Sequence, residues 1–447
     1  MNAIGKSNTA YKNLVVGLGV TGLSIARYLR RSGMDAKFAD SRDNPPGIDE
    51  LRSTWPDAEV ALGVMRLPDN VDRIIVSPGV ADNEPLLKKA RRARIEIVSD
   101  IELFAREAAA PFAAVTGSNG KSTVTTLLYH MARAAGKETL AGGNLGEPAL
   151  DLLDRPQPDL FVLELSSFQL QRTQSLPVAV AVLLNVSPDH LDWHTSEREY
   201  RNAKYRVFRE ARAAVINRAD KRAIKETRRF ERLISFGLDE PADGQYGLRQ
   251  DGGISYLARG NTLLIATADI AMYGRHNHAN ALAALAAGEL LGFEASSMLQ
   301  VLSEFPGLPH RMQFVARKGS VNYINDSKAT NVAAAVASVD SVASMIVLLA
   351  GGLGKGGEFG ELAAALENKL RAAVLFGTDA GKIAAALDTV MPVYFATDMV
   401  DAVQQAAAYA ESDDTVLLAP ACASFDQLAN YGARGDAFQV AVEALPR

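Results

Sequence analysis

Residues 112–115 form a short apolar run, residues 122–135 carry a helical pattern, and between them lies Thr116-Gly117-Ser118-Asn119-Gly120-Lys121-Ser122-Thr123. A strand that turns through glycines into a helix presents free backbone N–H groups. The segment therefore predicts an α/β unit whose turn cradles phosphates. Gly117, Ser118, Asn119 and Gly120 supply the cradle. Lys121 can reach β- and γ-phosphate oxygens, and Ser122 or Thr123 can offer a hydroxyl to Mg²⁺. The loop departs from the usual G-x-x-x-x-G-K-[ST] pattern because Val115 stands five residues before Gly120.

A second glycine turn, Gly17-Leu18-Gly19-Val20-Thr21-Gly22, also follows an apolar run and opens a helical pattern, with Asp40 at a later strand end. This matches a dinucleotide-binding turn in its proper context, yet the same residues suit any nucleotide diphosphate, or a tight βα turn with no ligand. Two phosphate-binding turns on separate α/β units imply one nucleotide that reacts and another that is held. A simple dehydrogenase is thereby excluded.

The chain has 447 residues, roughly three domains' worth. Apolar runs at 13–16, 36–39 and 73–76, with a helix over 21–31, predict a first βαβ unit. Runs at 160–164, 178–185 and 213–217 extend the second unit, which includes hairpins within 237–266 and a helix over 279–291. Phe305-Pro306-Gly307-Leu308-Pro309-His310 breaks the pattern and predicts a hinge. Strands at 321–324, 345–350, 373–376, 393–396 and 415–418 make a third α/β unit. The expected domains are 1–99, 100–308 and 309–447, with a crossing helix near 100–109.

A net charge of −5 gives no basic field for nucleic acid. The single cysteine, Cys422, cannot form an internal disulfide and reads as a small buried filler. The N-terminal residues resemble neither a signal nor a transit peptide, and no apolar run is long enough to span a bilayer, so a cytoplasmic protein without membrane insertion is expected.

Glu164 ends a buried apolar run, where an uncompensated carboxylate is costly, so a cation should meet it: Mg²⁺, or a basic side chain in a structural salt bridge. Asn185-Val186-Ser187-Pro188-Asp189-His190-Leu191-Asp192-Trp193-His194 could suggest zinc. Without cysteine and beside an ATP loop, oxygen-ligated Mg²⁺ fits better, with His190 joining a metal site and His194 an ordinary polar loop residue. A helix over 196–211 places Lys204 on the apolar stripe of Tyr200, Ala203, Val207 and Ala211. A lysine there either pairs with a carboxylate, is chemically modified, or extends its amine to water. The third unit adds polar clusters at 308–311, 325–331, 351–355 and 420–426, which together suggest a cleft.

The chain resembles the Mur ligase family, ATP-dependent amino-acid ligases of peptidoglycan synthesis, along essentially its whole length. The likeness rests on the two glycine turns, Ser77-Pro78-Gly79, Gly142-Gly143-Asn144-Leu145-Gly146, Glu164 to Gln169, Asp189-His190, Lys204, His276 to Ala281, His310-Arg311, Asp326 to Asn331 and Ala421 to Gln427. It implies an α/β fold of three domains: a Rossmann-like N-terminal domain, a central P-loop ATPase-like domain with a mostly parallel sheet, and a Rossmann-like C-terminal domain. The activity implied is transfer of D-glutamate onto UDP-N-acetylmuramoyl-L-alanine through an acyl phosphate, by a monomer using ATP with two Mg²⁺ ions or Mn²⁺.

By that resemblance Lys121, Glu164, His190 and Lys204 are catalytic. Ser122 and Glu164 hold one metal, His190 and a carbamylated Lys204 the other. Asn280, Arg311, Asp326 and Lys328 join residues 117–123 in binding ATP. Val20, Thr21, Ser41, Arg42, Gly79 and Asn144 meet the UDP-sugar, and Thr330, Lys355, Ser424, Phe425 and Tyr431 meet glutamate. Ser41, Leu353, Phe425 and Tyr431 depart from the commonest family residues. The last three bear on the shape of the glutamate pocket.

Overall fold

Apolar tetrads flanked by helices can bury both faces only as strands of a parallel, helix-covered sheet. The computed structural model describes residues 12–189, 193–194, 196–354, 356, 358–387 and 392–446. Within it, β1 (Asn13–Val16) is buried at every position. With β2 (Ala36–Asp40), β3 (Glu59–Leu62), β4 (Arg73–Val76) and β5 (Glu96–Val98), it forms a parallel sheet ordered β3-β2-β1-β4-β5. Winding reverses beside β1, and the Gly17 turn sits at its carboxyl end, where such sheets open a crevice.

The next strands are β6 (Phe112–Thr116), β7 (Thr139–Gly143), β8 (Leu160–Glu164), β9 (Val180–Leu183), β10 (Ala214–Asn217) and β11 (Leu233–Phe236), ordered β11-β10-β9-β6-β8-β7. β6 lies between β8 and β9, parallel to both, so its phosphate turn is flanked by the ends carrying Glu164 and Asn185. Antiparallel hairpins follow, as predicted, in β12 (Tyr246–Asp251), β13 (Ile254–Arg259) and β14 (Thr262–Ala266). Gly252 and Gly253, at φ +56° and +81°, make the two-residue turn between the first two of these strands.

The chain divides into two compact units. One runs through Ser235 and takes in Ala283–Ser297; the other comprises Phe236–Leu282 and Met298 onward. In the first unit a single apolar cluster reaches from Val15 and Leu29 through Phe104 to Phe161 and Ile216. The helix Val20–Arg31 is tied across it by Arg27, whose Nη2 lies 2.5 Å from Asp151, and by Arg31, 2.6 Å from Asp154.

In the second unit, β15 (Gln313–Lys318), β16 (Val321–Asn325), β17 (Ile346–Gly351), β18 (Leu370–Phe376), β19 (Val393–Phe395) and β20 (Thr415–Leu418) are ordered β15-β16-β20-β17-β18-β19. Only β15 is antiparallel to its neighbour. Alternate residues divide between two cores: Leu348 and Ala350 enter one, Val347 and Leu349 the other. The break over 305–310 separates the helix Ala295–Glu304 from β15.

Two expectations change. The helix predicted over 196–211 is Glu197–Tyr205 followed by a 3₁₀ turn, Arg206–Phe208, so Ala211 lies beyond it. The turn continues the same buried stripe through Val207, which is why apolar spacing alone overran the end. His194, read as an ordinary polar loop residue, is buried. Its Nε2 lies 3.0 Å from Ser167 Oγ, and its ring stacks on Phe168 and meets Tyr200 edge-on, contacts that offset the cost of burying an imidazole. Among the described residues no helix is long and apolar enough to cross a membrane.

Candidate active site

Gly120, at φ +84°, turns β6 into the helix Lys121–Ala134. The loop before it is held by side chains that follow β9. Asn185 accepts from the Asn119 N–H through Oδ1 at 2.9 Å and donates Nδ2 to the Asn119 carbonyl at 3.0 Å. Ser118 donates its hydroxyl to the Ser187 carbonyl at 3.0 Å and lies 2.8 Å from the Tyr200 hydroxyl. This bracing fixes the loop in advance of any ligand, which is what phosphate recognition by backbone N–H groups requires.

Two lysines converge on one carbonyl. Lys204 donates to Gly117 O at 2.7 Å, and Lys121 donates to the same oxygen and to Ser118 O at 3.0 Å each. Lys204 is buried, its ammonium 4.7 Å from the centre of the Tyr200 ring. Burial, reinforced by repulsion from Lys121, pushes its pKa well below the usual lysine range against the attraction of Asp189 and Glu164. Lys121 thus brings an amine to the turn where a polyphosphate would sit, while Lys204 is driven towards its neutral, nucleophilic form.

Glu164, at the end of β8, is buried. Its Oε1 accepts from Asn144 Nδ2 at 2.6 Å, while Oε2 has no hydrogen-bond partner among the described residues. Among those residues neither oxygen is in an ion pair with a basic side chain. A buried carboxylate oxygen left over beside a phosphate turn, with the Ser122 hydroxyl opening the adjacent helix, fits a hard, oxygen-seeking cation such as Mg²⁺. A backbone neighbour enforces Gly143 at φ +99°: a Cβ there would lie 2.5 Å from Glu164 O. His190 and Asp192 lie outside the described residues.

At the first glycine turn, a Cβ on Gly22 would lie 2.0 Å from Gly17 O, and Ser77 Oγ donates to that carbonyl at 2.8 Å. Asp40, instead of standing free for a ribose, accepts from the Leu18 N–H at 2.7 Å and from a fork of Arg42 Nε and Nη2 at 2.9 and 2.7 Å. Burial works to raise its pKa, but these bonds outweigh it and hold the carboxyl at about 2. Val20, Ser41, Arg42 and Gly79 are exposed around this turn and Thr21 is half-buried. Arg172, buried after the helix Ser167–Gln171, donates to the carbonyls of Ser77 and Val80, linking the turn to the chain carrying Glu164.

In the second unit, Asp326 is buried and accepts from Ser338 Oγ. Burial raises its pKa to about 6, with Ser338 and Arg311 opposing. Lys328 Nζ lies 4.1 Å from the centre of the Tyr431 ring. Asn280 is buried and donates to Asn277 Oδ1 at 3.0 Å. Ser424 is buried, Thr330 half-buried, and Phe425 and Tyr431 exposed. Lys355 lies outside the described residues.

Three family models match in chain order: Mur ligase MurD-like, N-terminal domain, over residues 11–99; Mur ligase middle domain, 115–288; and Mur ligase, glutamate ligase domain, 310–422. The UDP-N-acetylmuramoylalanine–D-glutamate ligase of Nitrosococcus oceani is 46% identical over 440 residues, 98% of this chain and 97% of its own. That of Pseudomonas syringae is also 46% identical, covering 97% and 98%. The chain belongs to the Mur ligase family. The crystal structure of MurF ligase from Thermotoga maritima in complex with ADP shares the fold, with a TM-score of 0.62 at 18% identity, covering 91% of this chain and 95% of that one.

Within this Mur ligase the structure brings Lys121 and Lys204 to one carbonyl, within electrostatic reach of the Glu164 that Asn144 holds, in the first unit, and sets Lys328 over the Tyr431 ring in the second. Several supporting residues were not singled out for such roles from the sequence: Asn185, Tyr200, Arg172 and His194. Tyr200 alone carried a usable signal, lying one turn before Lys204 on the same helical stripe. Asn144, expected at the sugar substrate, also holds Glu164.

Proposed function

We propose that this Mur ligase joins D-glutamate to UDP-N-acetylmuramoyl-L-alanine with ATP, releasing ADP and phosphate, in cytoplasmic peptidoglycan precursor synthesis. The full-length likeness to ligases named for that reaction carries the reading, and the two braced glycine turns supply its physical basis. An L-alanyl carboxylate oxygen attacks the γ-phosphorus and the bond to ADP breaks. The glutamate amine then attacks the acyl carbon, the C–O bond breaks, phosphate leaves with that oxygen, and the amine gives up a proton.

Lys121 offsets the charge of two mutually repelling anions, and the Gly117–Thr123 turn holds the phosphates. Ser122 and Glu164 would hold one Mg²⁺, His190 and a carbamylated Lys204 a second; Mn²⁺ could substitute. Bound there, the ions would supply charge neutralisation across the phosphates. Asn280, Arg311, Asp326 and Lys328 complete ATP binding, Asp326 towards the ribose. Val20, Thr21, Ser41, Arg42, Gly79 and Asn144 bind the UDP-sugar. Thr330, Lys355, Ser424, Phe425 and Tyr431 bind glutamate. The protein works as a monomer of three domains, 1–99, 100–308 and 309–447.

The test is phosphate release with ATP, Mg²⁺ and UDP-N-acetylmuramoyl-L-alanine, comparing D-glutamate, L-glutamate and meso-diaminopimelate. D-glutamate alone should stimulate release, and ¹⁸O from the substrate carboxylate should appear in the phosphate. No stimulation by D-glutamate defeats the assignment.

A further inference from the structure

Arg434 is 1% exposed, and burial lowers its pKa to about 10, which leaves it charged at neutral pH. A buried cation is ordinarily matched by a carboxylate. Arg434 instead spends its fork on loop backbone and one hydroxyl: Nε donates to Ser327 Oγ at 3.0 Å, Nη2 to Ser327 O at 2.9 Å and Cys422 O at 3.0 Å, and Nη1 to Gly351 O at 3.3 Å. The three acceptor residues follow or end β16, β20 and β17, consecutive neighbours in the sheet, so one guanidinium pins the carboxyl ends of three adjacent parallel strands.

These segments are further locked to one another. Leu353 and Ala423 exchange backbone hydrogen bonds at 2.8 and 3.0 Å, Gly354 N donates to Asp379 at 2.6 Å, and Ser327 Oγ donates to Tyr431 O at 2.8 Å. Gly352 must stay small: a Cβ there would lie 2.1 Å from Ala423 O and 3.3 Å from Arg434 Nη1. The residues proposed above to meet glutamate follow the anchors closely in sequence. Thr330 comes three after Ser327 and Ser424 two after Cys422, while Tyr431 opens the helix Tyr431–Glu443 that carries Arg434.

We propose that Arg434 is a positioning residue for the amino-acid substrate, setting the mutual placement of the loops after β16 and β20 and the start of the helix Tyr431–Glu443, which must grip a dicarboxylate while its amine stays free to attack. The inference rests on the assignment of Thr330, Ser424, Phe425 and Tyr431 to glutamate. Lysine cannot replace the planar fork, because a single ammonium cannot serve acceptors on three loops in fixed directions.

The experiment compares the full-length wild type with Arg434→Lys in steady-state kinetics for all three substrates. The KM for D-glutamate should rise roughly ten- to hundredfold, since ångström-scale misplacement of binding groups has effects of that order. The KM for the UDP-sugar should stay within about twofold of the wild type, the KM for ATP, whose proposed ligands Asp326 and Lys328 flank Ser327, should rise less than that for D-glutamate, and the preference for D- over L-glutamate should fall. Equal rises in all three KM values, or an unchanged KM for D-glutamate, overturn the proposal. If Arg434→Lys does not fold, Ser327→Ala decides by the same readouts. It removes the Nε acceptor and the link to Tyr431 while leaving the bonds to Gly351 and Cys422. A wild type indifferent to D-glutamate would count against the assigned reaction itself, a result distinct from either variant outcome.

Discussion

Lys204 sits where chemistry and folding conflict: a buried amine beside a second amine, with a carbonyl and a ring face as close contacts. Modification to a carbamate would turn that conflict into an oxygen ligand. Lys204→Ala should therefore lose activity by about 100-fold or more, and bicarbonate or short carboxylic acids should restore part of it. Full activity in the variant removes the carbamate from the mechanism. Asp40 carries the opposite kind of shift. Its folded pKa of about 2 lies below the ordinary 3.8, so its contribution is complete above about pH 4 and is lost as pH falls towards 2. Allowing for the exposure of Arg42, it is worth on the order of 1–2 kcal/mol. The gap in urea midpoint between wild type and Asp40→Asn should be flat from pH 7 to about pH 4 and shrink below that. A gap that widens on acidification contradicts this account.

The phosphate turn shows what an element inherits from its neighbours. Its residues were legible because glycine, lysine and serine at fixed offsets after a strand have few other uses. What holds them was not, because Asn185 and Tyr200 reach Ser118 and Asn119 only once β9 lies beside β6 and the helix Glu197–Tyr205 has docked. The same divide governs secondary structure. Runs such as residues 160–164 became strands as read. The alternating Glu59–Leu62 and the three-residue Glu96–Val98 carry too little apolar signal and exist as strands because β2 and β4 offer paired edges. Asn185→Ala deletes both bonds to Asn119, each worth about 0.5–1.5 kcal/mol. The KM for ATP should rise roughly tenfold with the KM for D-glutamate little changed. Equal KM values for ATP in variant and wild type would show that the turn keeps its shape unaided.

At the level of the whole chain, sequence reading expected separate first and second domains, because each carries its own strand–turn–helix pattern and a charge pattern does not reveal what packs on what. One apolar cluster runs through residues of both spans, and Arg27, Arg31 and Arg172 add polar ties that no local motif encodes. Such a body should unfold cooperatively, since breaking either sheet exposes the core it shares with the other. The two tryptophans report on it from opposite ends of the sequence involved. Trp55 packs edge-on against Phe38 in the first sheet's core, and the Trp193 ring centre lies 4.6 Å from that of Phe168, in the helix that follows β8. In Trp193→Phe the remaining fluorescence follows Trp55, and in Trp55→Phe it follows Trp193. Urea titrations of the two variants should superimpose in midpoint and slope after correction for the stability each substitution removes, measured by circular dichroism on the same samples. Two separated midpoints would mean that the first sheet melts on its own, and that the shared cluster is a contact surface between independent domains rather than one core.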